Sequence, residues 1–150
     1  MIMVKKIALK LVRERGGKYF LPDKIHNPDN IYELFSFLRD DPQENFYVLC
    51  LDTKNSIAGF CQIARGSWDF CAMRVADIIK PAILMNANSI IVVHNHPTGD
   101  PTPSEDDKKT TKKIAEACEI FSLELLDHII IGEDKYFSFM AEGLLKTTSQ

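Results

Sequence analysis

The chain has 150 residues, 45% of them hydrophobic and 26% charged, the proportions of one ordinary globular domain with enough length to bury a core. A formal net charge of −3 supplies no basic field directed at nucleic acid. No apolar run approaches the ~20 residues of a membrane-spanning helix, and the opening "MIMVKKIALKLVRERGG" is too charged beyond its first residues for a secretory signal.

In chain order, "KIALKLVRER" and "GKYFL" flank Gly16-Gly17 and predict a hairpin. "NPDNIYELFSFLRDD" starts with Asn27 as a cap and Pro28 in the first helical position, both helix-initiating choices. Ile31, Leu34, Phe35 and Leu38 recur at helical spacing, so the helix faces the core; Glu33 falls on its exposed side. "NFYVLCLDTKNSIAGFCQIARG" reads as a second hairpin turning at Asp52-Thr53-Lys54-Asn55. After the loop "GSWDF" comes a second helical pattern, "CAMRVADIIKPAILMNAN", in which Pro81 removes one backbone donor and should kink the helix. "SIIVV" is short, apolar and β-branched, as a strand buried on both faces would be. "SEDDKKTTKKIAEACEIF" predicts a third helix, "LELLDHIIIG" and "KYFSFM" two closing strands, and "AEGLL" a final helical turn.

Helices and strands therefore mix without a repeating order, which predicts an α/β domain. Residues 1–39 are expected to join residues 40–145 in one compact unit, with 146–150 as a disordered tail. Cys50, Cys61, Cys71 and Cys118 form no C-x-x-C pair. Free, buried thiols in a reducing cytoplasm are the expectation.

The chemistry concentrates in "SIIVVHNHPTGDPTPSEDDKK". In extended backbone, residues two apart point to the same side, so His94 and His96 can converge on one ion; alternatively they are solvated loop histidines. Pro97, Gly99, Pro101 and Pro103 make a stiff turn, after which Ser104 opens the third helix with Asp107 at its third position. Ser-x-x-Asp there resembles a capping box, and Glu105 and Asp106 suit the positive end of the helix dipole. A loop that returns this helix start beside the strand end would also bring Asp107 to both imidazoles. Two histidines, one carboxylate and an open fourth position make a catalytic rather than a structural zinc arrangement.

Other histidine-based readings fit less well. His94-Asn95-His96 spells the name of the HNH nucleases, which spread their signature residues over a ββα unit instead of placing them side by side. A zinc deaminase would need His-x-Glu followed by Pro-Cys-x-x-Cys, and neither is present. The stretch does resemble the JAMM (JAB) metalloprotease motif, His-x-His, seven residues, Ser, two residues, Asp, with every spacing matched. Its wording, "HNHPTGDPTPS", is closer still to the RadC branch of that family. Similarity extends through "DPQENFYVLCLDTKN", "MRVADIIKPAI", "LLDHIIIG" and "YFSF", about residues 40 to 145.

The resemblance implies a JAB/JAMM-type fold, a cytidine-deaminase-like three-layer arrangement with a mixed sheet flanked by helices. It also implies one zinc ion held by His94, His96 and Asp107, with a water as fourth ligand whose pKa falls toward ~7. Glu44, which by itself reads as an exposed acid at a strand entrance, becomes the matching general base. Ser104 becomes the donor to the oxyanion, in competition with its capping role. The implied reaction is hydrolysis of a peptide or isopeptide bond in a protein or peptide substrate.

Among the remaining polar residues, Asn95 and Thr98 are expected to shape the loop. His128 is expected to be a hydrogen-bonded core residue with Asp127 as its candidate partner. His26 has no partner in view, and Trp68 could border a groove. Two other functions stand beside the hydrolase. RadC-like proteins carry a DNA-repair label as a family, and Lys108, Lys109, Lys112 and Lys113 could face phosphates, although a solvated helix face accounts for them better and agrees with the acidic total. The third is a non-catalytic binding module that keeps the fold, against which the intact ligand set argues.

Overall fold

A computed structural model describes residues 24–66 and 73–146. The expected N-terminal hairpin, Trp68, Cys71 and the last four residues lie outside the described residues. Helix α1 (Pro28–Leu34) begins as its sequence requires: the Asn27 side chain accepts from the Asn30 amide at 3.1 Å, with Pro28 in the first turn. A 3-10 turn (Ser36–Leu38) follows directly. The first strands, β1 (Asn45–Leu51) and β2 (Ile57–Arg65), form an antiparallel hairpin. Its turn is held by Asp52, whose Oδ1 accepts from the Lys54 and Ser56 amides at 2.8 and 2.9 Å, while Asn55 takes a φ of 59°. Asparagine tolerates that left-handed conformation better than most residues.

Helix α2 (Val75–Leu84) runs through Pro81, so the helix continues with one intrahelical donor missing. Strand β3 (Ser89–Asn95) is buried along its whole length. Helix α3 (Glu105–Ile120) then leads to β4 (Glu124–Ile131), and β5 (Tyr136–Ser138) closes the sheet. The expected helical turn in "AEGLL" is instead a set of tight turns, with Gly143 at φ 70° and the Leu144 amide donating to the Phe139 carbonyl at 2.8 Å. A glycine in the left-handed region two residues into so short a segment ends any helix there.

The five strands lie in the order β2-β1-β3-β4-β5. Strands β3 and β4 are parallel and every other neighbouring pair is antiparallel. A parallel pair needs a long crossover, and α3 supplies it. Alternation along the central strands divides the core in two. Phe46, Val48, Cys50, Ile90, Val92 and Ile130 pack with Ile78, Ile79 and Ala82 of α2 and Ile114 and Cys118 of α3. On the opposite face Leu49, Leu51, Ile91, Val93, Ile129 and Ile131 meet Ile31, Leu34, Phe35 and Leu38. The result is the expected α/β fold: three layers around a mixed sheet, with β1, β3 and β4 covered on both sides. Cys50, Cys61 and Cys118 are free thiols, and among the described residues no helix is long and apolar enough to cross a membrane.

The end of β4 holds the loop after β3 in place. The Glu133 amide donates to the Gly99 carbonyl at 3.1 Å, and Gly99 itself has a φ of 81°. A Cβ on Gly132 would overlap the Gly99 carbonyl oxygen and stand 2.8 Å from Pro101 Cδ and 2.9 Å from the Lys135 carbonyl oxygen. Two of those three atoms are backbone and cannot rotate away. Gly132→Ala should therefore destabilise the fold by about 1–3 kcal/mol, the usual cost of overpacking. Chemical denaturation measures this; an unchanged midpoint would show that the loop does not pack as closely as described.

Candidate metal centre

The parallel crossover places the C-terminal end of β3 beside the N-terminal end of α3, and the polar residues of the chain's central motif meet there. His94 and His96 project to the same side of the strand end, as their spacing requires. Their Nε2 atoms are 3.0 Å apart. His94 is fully buried and His96 partly so. The His96 amide donates to the Ile131 carbonyl at 2.9 Å, and its Nδ1 lies 2.8 Å from the Asp100 carbonyl oxygen. Since a carbonyl only accepts, that contact puts a proton on His96 Nδ1.

Ser104 and Asp107 form a reciprocal capping box at the start of α3. Ser104 Oγ accepts from the Asp107 amide at 3.1 Å, while Asp107 Oδ2 accepts from the Ser104 amide and hydroxyl, both at 2.7 Å. The other carboxylate oxygen, Oδ1, is buried and has no hydrogen-bond partner. It lies 3.2 Å from His94 Nε2, off the line of a hydrogen bond, and Oδ2 lies 3.5 Å from His96 Nε2. The capping motif thus leaves one oxygen without a hydrogen bond, beside His94.

Those atoms fit a cation. Tetrahedral zinc with bonds of ~2.1 Å separates its ligand atoms by roughly 3.4 Å, and the two edges nearest this case measure 3.0 Å between the imidazole nitrogens and 3.2 Å from His94 Nε2 to Oδ1. A buried carboxylate oxygen without a donor is costly, which a metal bond would relieve. Two imidazoles and one carboxylate are a zinc-type donor set. Glu44 approaches from the entrance to β1: one of its carboxylate oxygens and one ring nitrogen each from His94 and His96 all lie within 4.8 Å of one another. Glu44 is therefore placed to act as a further ligand or as a base beside the ion.

Burial lowers the pKa of His94, with Asp107 opposing the shift. Burial also acts on His96, but its contacts with Asp107 and the Asp100 carbonyl prevail and raise its pKa. Burial would push Asp107 upward, yet His94, His96 and Ser104 together hold it well below the ordinary carboxylate range. Glu44 is raised, chiefly by burial, with His96 pulling the other way.

Behind these atoms lies a second layer. His94 Nδ1 is 2.8 Å from His128 Nε2, His128 Nδ1 is 2.6 Å from Thr111 Oγ1, and the Thr111 hydroxyl donates to the Asp107 carbonyl at 2.7 Å. The His128 ring stacks on Phe139 with centroids 4.8 Å apart. His128 is thus the buried, hydrogen-bonded residue expected, but its ring partners are His94 and Thr111. Asp127 accepts from the His128 backbone amide at 2.7 Å and from the Met140 amide at 3.0 Å. Neighbours along a strand face opposite sides of the sheet, so adjacent side chains seldom pair. Sequence reasoning passed over Thr111; its only signal was its position one helical turn after Asp107.

Asn95, between the two histidines, points the other way. Its Oδ1 accepts from the Asn45 amide at 2.8 Å, and its Nδ2 donates to the Gln43 carbonyl at 3.0 Å. It therefore clamps the backbone on both sides of Glu44 to the strand that carries the histidines. Glu33 and His26 are exposed on or beside α1. Lys108, Lys109, Lys112 and Lys113 are also exposed, and the first three stand 2.7, 3.4 and 4.0 Å from Glu105, Asp106 and Glu116.

The profile of the RadC-like JAB domain matches residues 25–144. A UPF0758 protein of Thermotoga maritima is 37% identical over 95% of the chain and 67% of its own length. Relatives of the same name from Pelobacter propionicus and Aquifex aeolicus are 41% and 36% identical over 89% and 96% of the chain, and 58% and 62% of their own lengths. The chain thus spans about half to two-thirds of the length of these and similar curated relatives.

The Asn95 clamp has a measurable consequence. Asn95→Ala leaves the buried Asn45 amide without its acceptor, an expected loss of about 1–3 kcal/mol. Faster amide hydrogen exchange at Asn45 should accompany it. Wild-type exchange there would show that Asn95 does not hold the Glu44 segment.

Proposed function

The chain belongs to the RadC-like JAB domain family, and from that premise we propose that it is a zinc-dependent hydrolase of the JAMM type, cutting a peptide or isopeptide bond in a protein or peptide substrate. The observation that carries this reading is the convergence of His94 Nε2, His96 Nε2 and the unpartnered Asp107 Oδ1, with the Glu44 carboxylate at its edge. His94, His96 and Asp107 would hold the ion. Bound there, zinc supplies Lewis acidity and makes a nucleophilic hydroxide available near neutral pH.

The protein's own groups perform the proton transfers. A Glu44 carboxylate oxygen accepts the proton of the attacking water and returns it to the nitrogen of the departing amine. Partial burial, which raises its pKa, brings the carboxylate nearer the value at which both transfers are efficient. His96, the partly exposed ligand, lies on the side from which a substrate carbonyl can approach. Ser104 is assigned a double role. Its hydroxyl hydrogen points to Asp107 Oδ2 at 2.7 Å, so donation to an oxyanion requires the hydroxyl to rotate, while the Ser104 amide keeps its own bond to Oδ2. A cytoplasmic site of action belongs to the same proposal and is supported by the free thiols.

A DNA-associated role of the RadC type is the second reading, supported by the exposed lysines of α3. The acidic partners of three of them and the net charge of −3 weigh against it. Retention on DNA that weakens steeply with salt is its signature.

Two variants test the hydrolase. Glu44→Gln should lower kcat on peptide or isopeptide substrates by roughly 10²–10⁴-fold with zinc content unchanged; undiminished activity would remove Glu44 from the mechanism. Ser104→Ala should lower kcat by roughly 10²-fold or more at similar KM if the hydroxyl reaches the oxyanion. Loss of about 1 kcal/mol of stability alone, with kcat retained, would restrict Ser104 to capping.

A further inference from the structure

We propose that Thr111 and His128 are positioning residues: a hydroxyl–imidazole relay that starts at the backbone carbonyl of Asp107 and fixes the tautomer in which His94 presents a bare Nε2 to the metal. This rests on the ligand assignment above. Three contacts compose the relay. The Thr111 hydroxyl donates to the Asp107 carbonyl at 2.7 Å; Thr111 Oγ1 and His128 Nδ1 are 2.6 Å apart; His128 Nε2 and His94 Nδ1 are 2.8 Å apart.

The direction of the chain follows from counting protons. A threonine hydroxyl has one hydrogen, and here it goes to a carbonyl oxygen that can only accept. Thr111 Oγ1 must then accept from His128, which puts the ring proton of a neutral His128 on Nδ1 and a lone pair on Nε2. That lone pair accepts from His94 Nδ1–H. A neutral His94 with its proton on Nδ1 has a lone pair on Nε2, the atom that faces Asp107 Oδ1 and His96 Nε2 at 3.2 and 3.0 Å.

The opposite polarity fits less well. It would place a proton on His94 Nε2 facing Asp107 Oδ1 at 3.2 Å, an oxygen that has no hydrogen-bond partner. His96 reaches the same state by a shorter route, through its Nδ1 contact with the Asp100 carbonyl oxygen at 2.8 Å. Each imidazole is thus oriented by a backbone carbonyl, directly for His96 and through two side chains for His94. Metal-binding histidines commonly donate their second nitrogen to a carboxylate or a carbonyl; here a second histidine and a threonine occupy that place. Because the relay ends on Asp107, the residue that supplies one ligand also sets the tautomer of another.

The test has two arms. In the first, long-range ¹⁵N correlation spectra of the metal-free protein at alkaline pH report the tautomer of His94 directly. Protonated Nδ1 with bare Nε2 is expected; a proton on Nε2 overturns the relay, whatever the protein does with metal. In the second, zinc affinity is measured by chelator competition. Thr111→Val keeps the side-chain shape but removes the hydroxyl and should weaken zinc binding by roughly 10–100-fold, with His94 shifting toward the Nε2–H form. Thr111→Ser restores the hydroxyl and should return both readouts to wild type. Wild-type affinity in Thr111→Val would overturn the proposal. Failure of the unmodified chain to bind zinc would instead count against the function proposed above, and the tautomer would still decide the relay.

Discussion

Burying an ionised carboxylate costs several kcal/mol unless its oxygens find partners, and the Asp107 side chain has no solvent exposure. The site is organised around meeting that cost for one oxygen and leaving the other open. Oδ2 takes two hydrogen bonds from Ser104, within a motif that many helices use only to begin. Oδ1 is left with lone pairs, beside the His94 imidazole nitrogen at 3.2 Å. The helix start therefore provides both the hydrogen bonds that keep the carboxylate charged and the orientation that leaves its second oxygen open beside His94. Under the proposed function, capping and metal binding are two consequences of one arrangement.

The fold supplies what this arrangement needs from a distance. A parallel pair joined through a helix sets the end of the first strand against the start of that helix, where open α/β sheets commonly build their sites. Here β3 delivers two histidines and α3 delivers Asp107. Strand β4 contributes from below through His128 and from the side through Ile131 and Gly132, against which the loop between β3 and α3 rests. Strand β1 brings Glu44 to the edge, secured by Asn95. Four segments meet because β1, β3 and β4 are covered on both faces and cannot slide without exposing an apolar row.

Much of this was legible in the residues. The His-x-His spacing at the end of an apolar run, followed by Ser-x-x-Asp at a helix start, predicted which side chains would meet, because strand alternation and helix capping are local rules. The continuous burial of "SIIVV" was equally local. Glu44 was different. By itself it was an acid before a strand, and only the family resemblance singled it out. Thr111, and the ring partners of His128, were illegible for a related reason. The sequence pairs His128 with its neighbour Asp127, whereas the parallel register sets it opposite Val92 on β3, within reach of His94. Register between strands separated by a helix is a tertiary property that no local pattern announces.

The relay and the base both depend on one claim, that the buried lone pairs of His94, His96 and Asp107 exist to hold a cation. The most direct measurement is the metal content of the purified protein after zinc reconstitution and removal of excess, beside a His96→Ala variant. Close to one zinc per chain, lost in the variant while the fold is retained, is the expected result. No zinc in the unmodified protein, or equal zinc in the variant, would contradict the account.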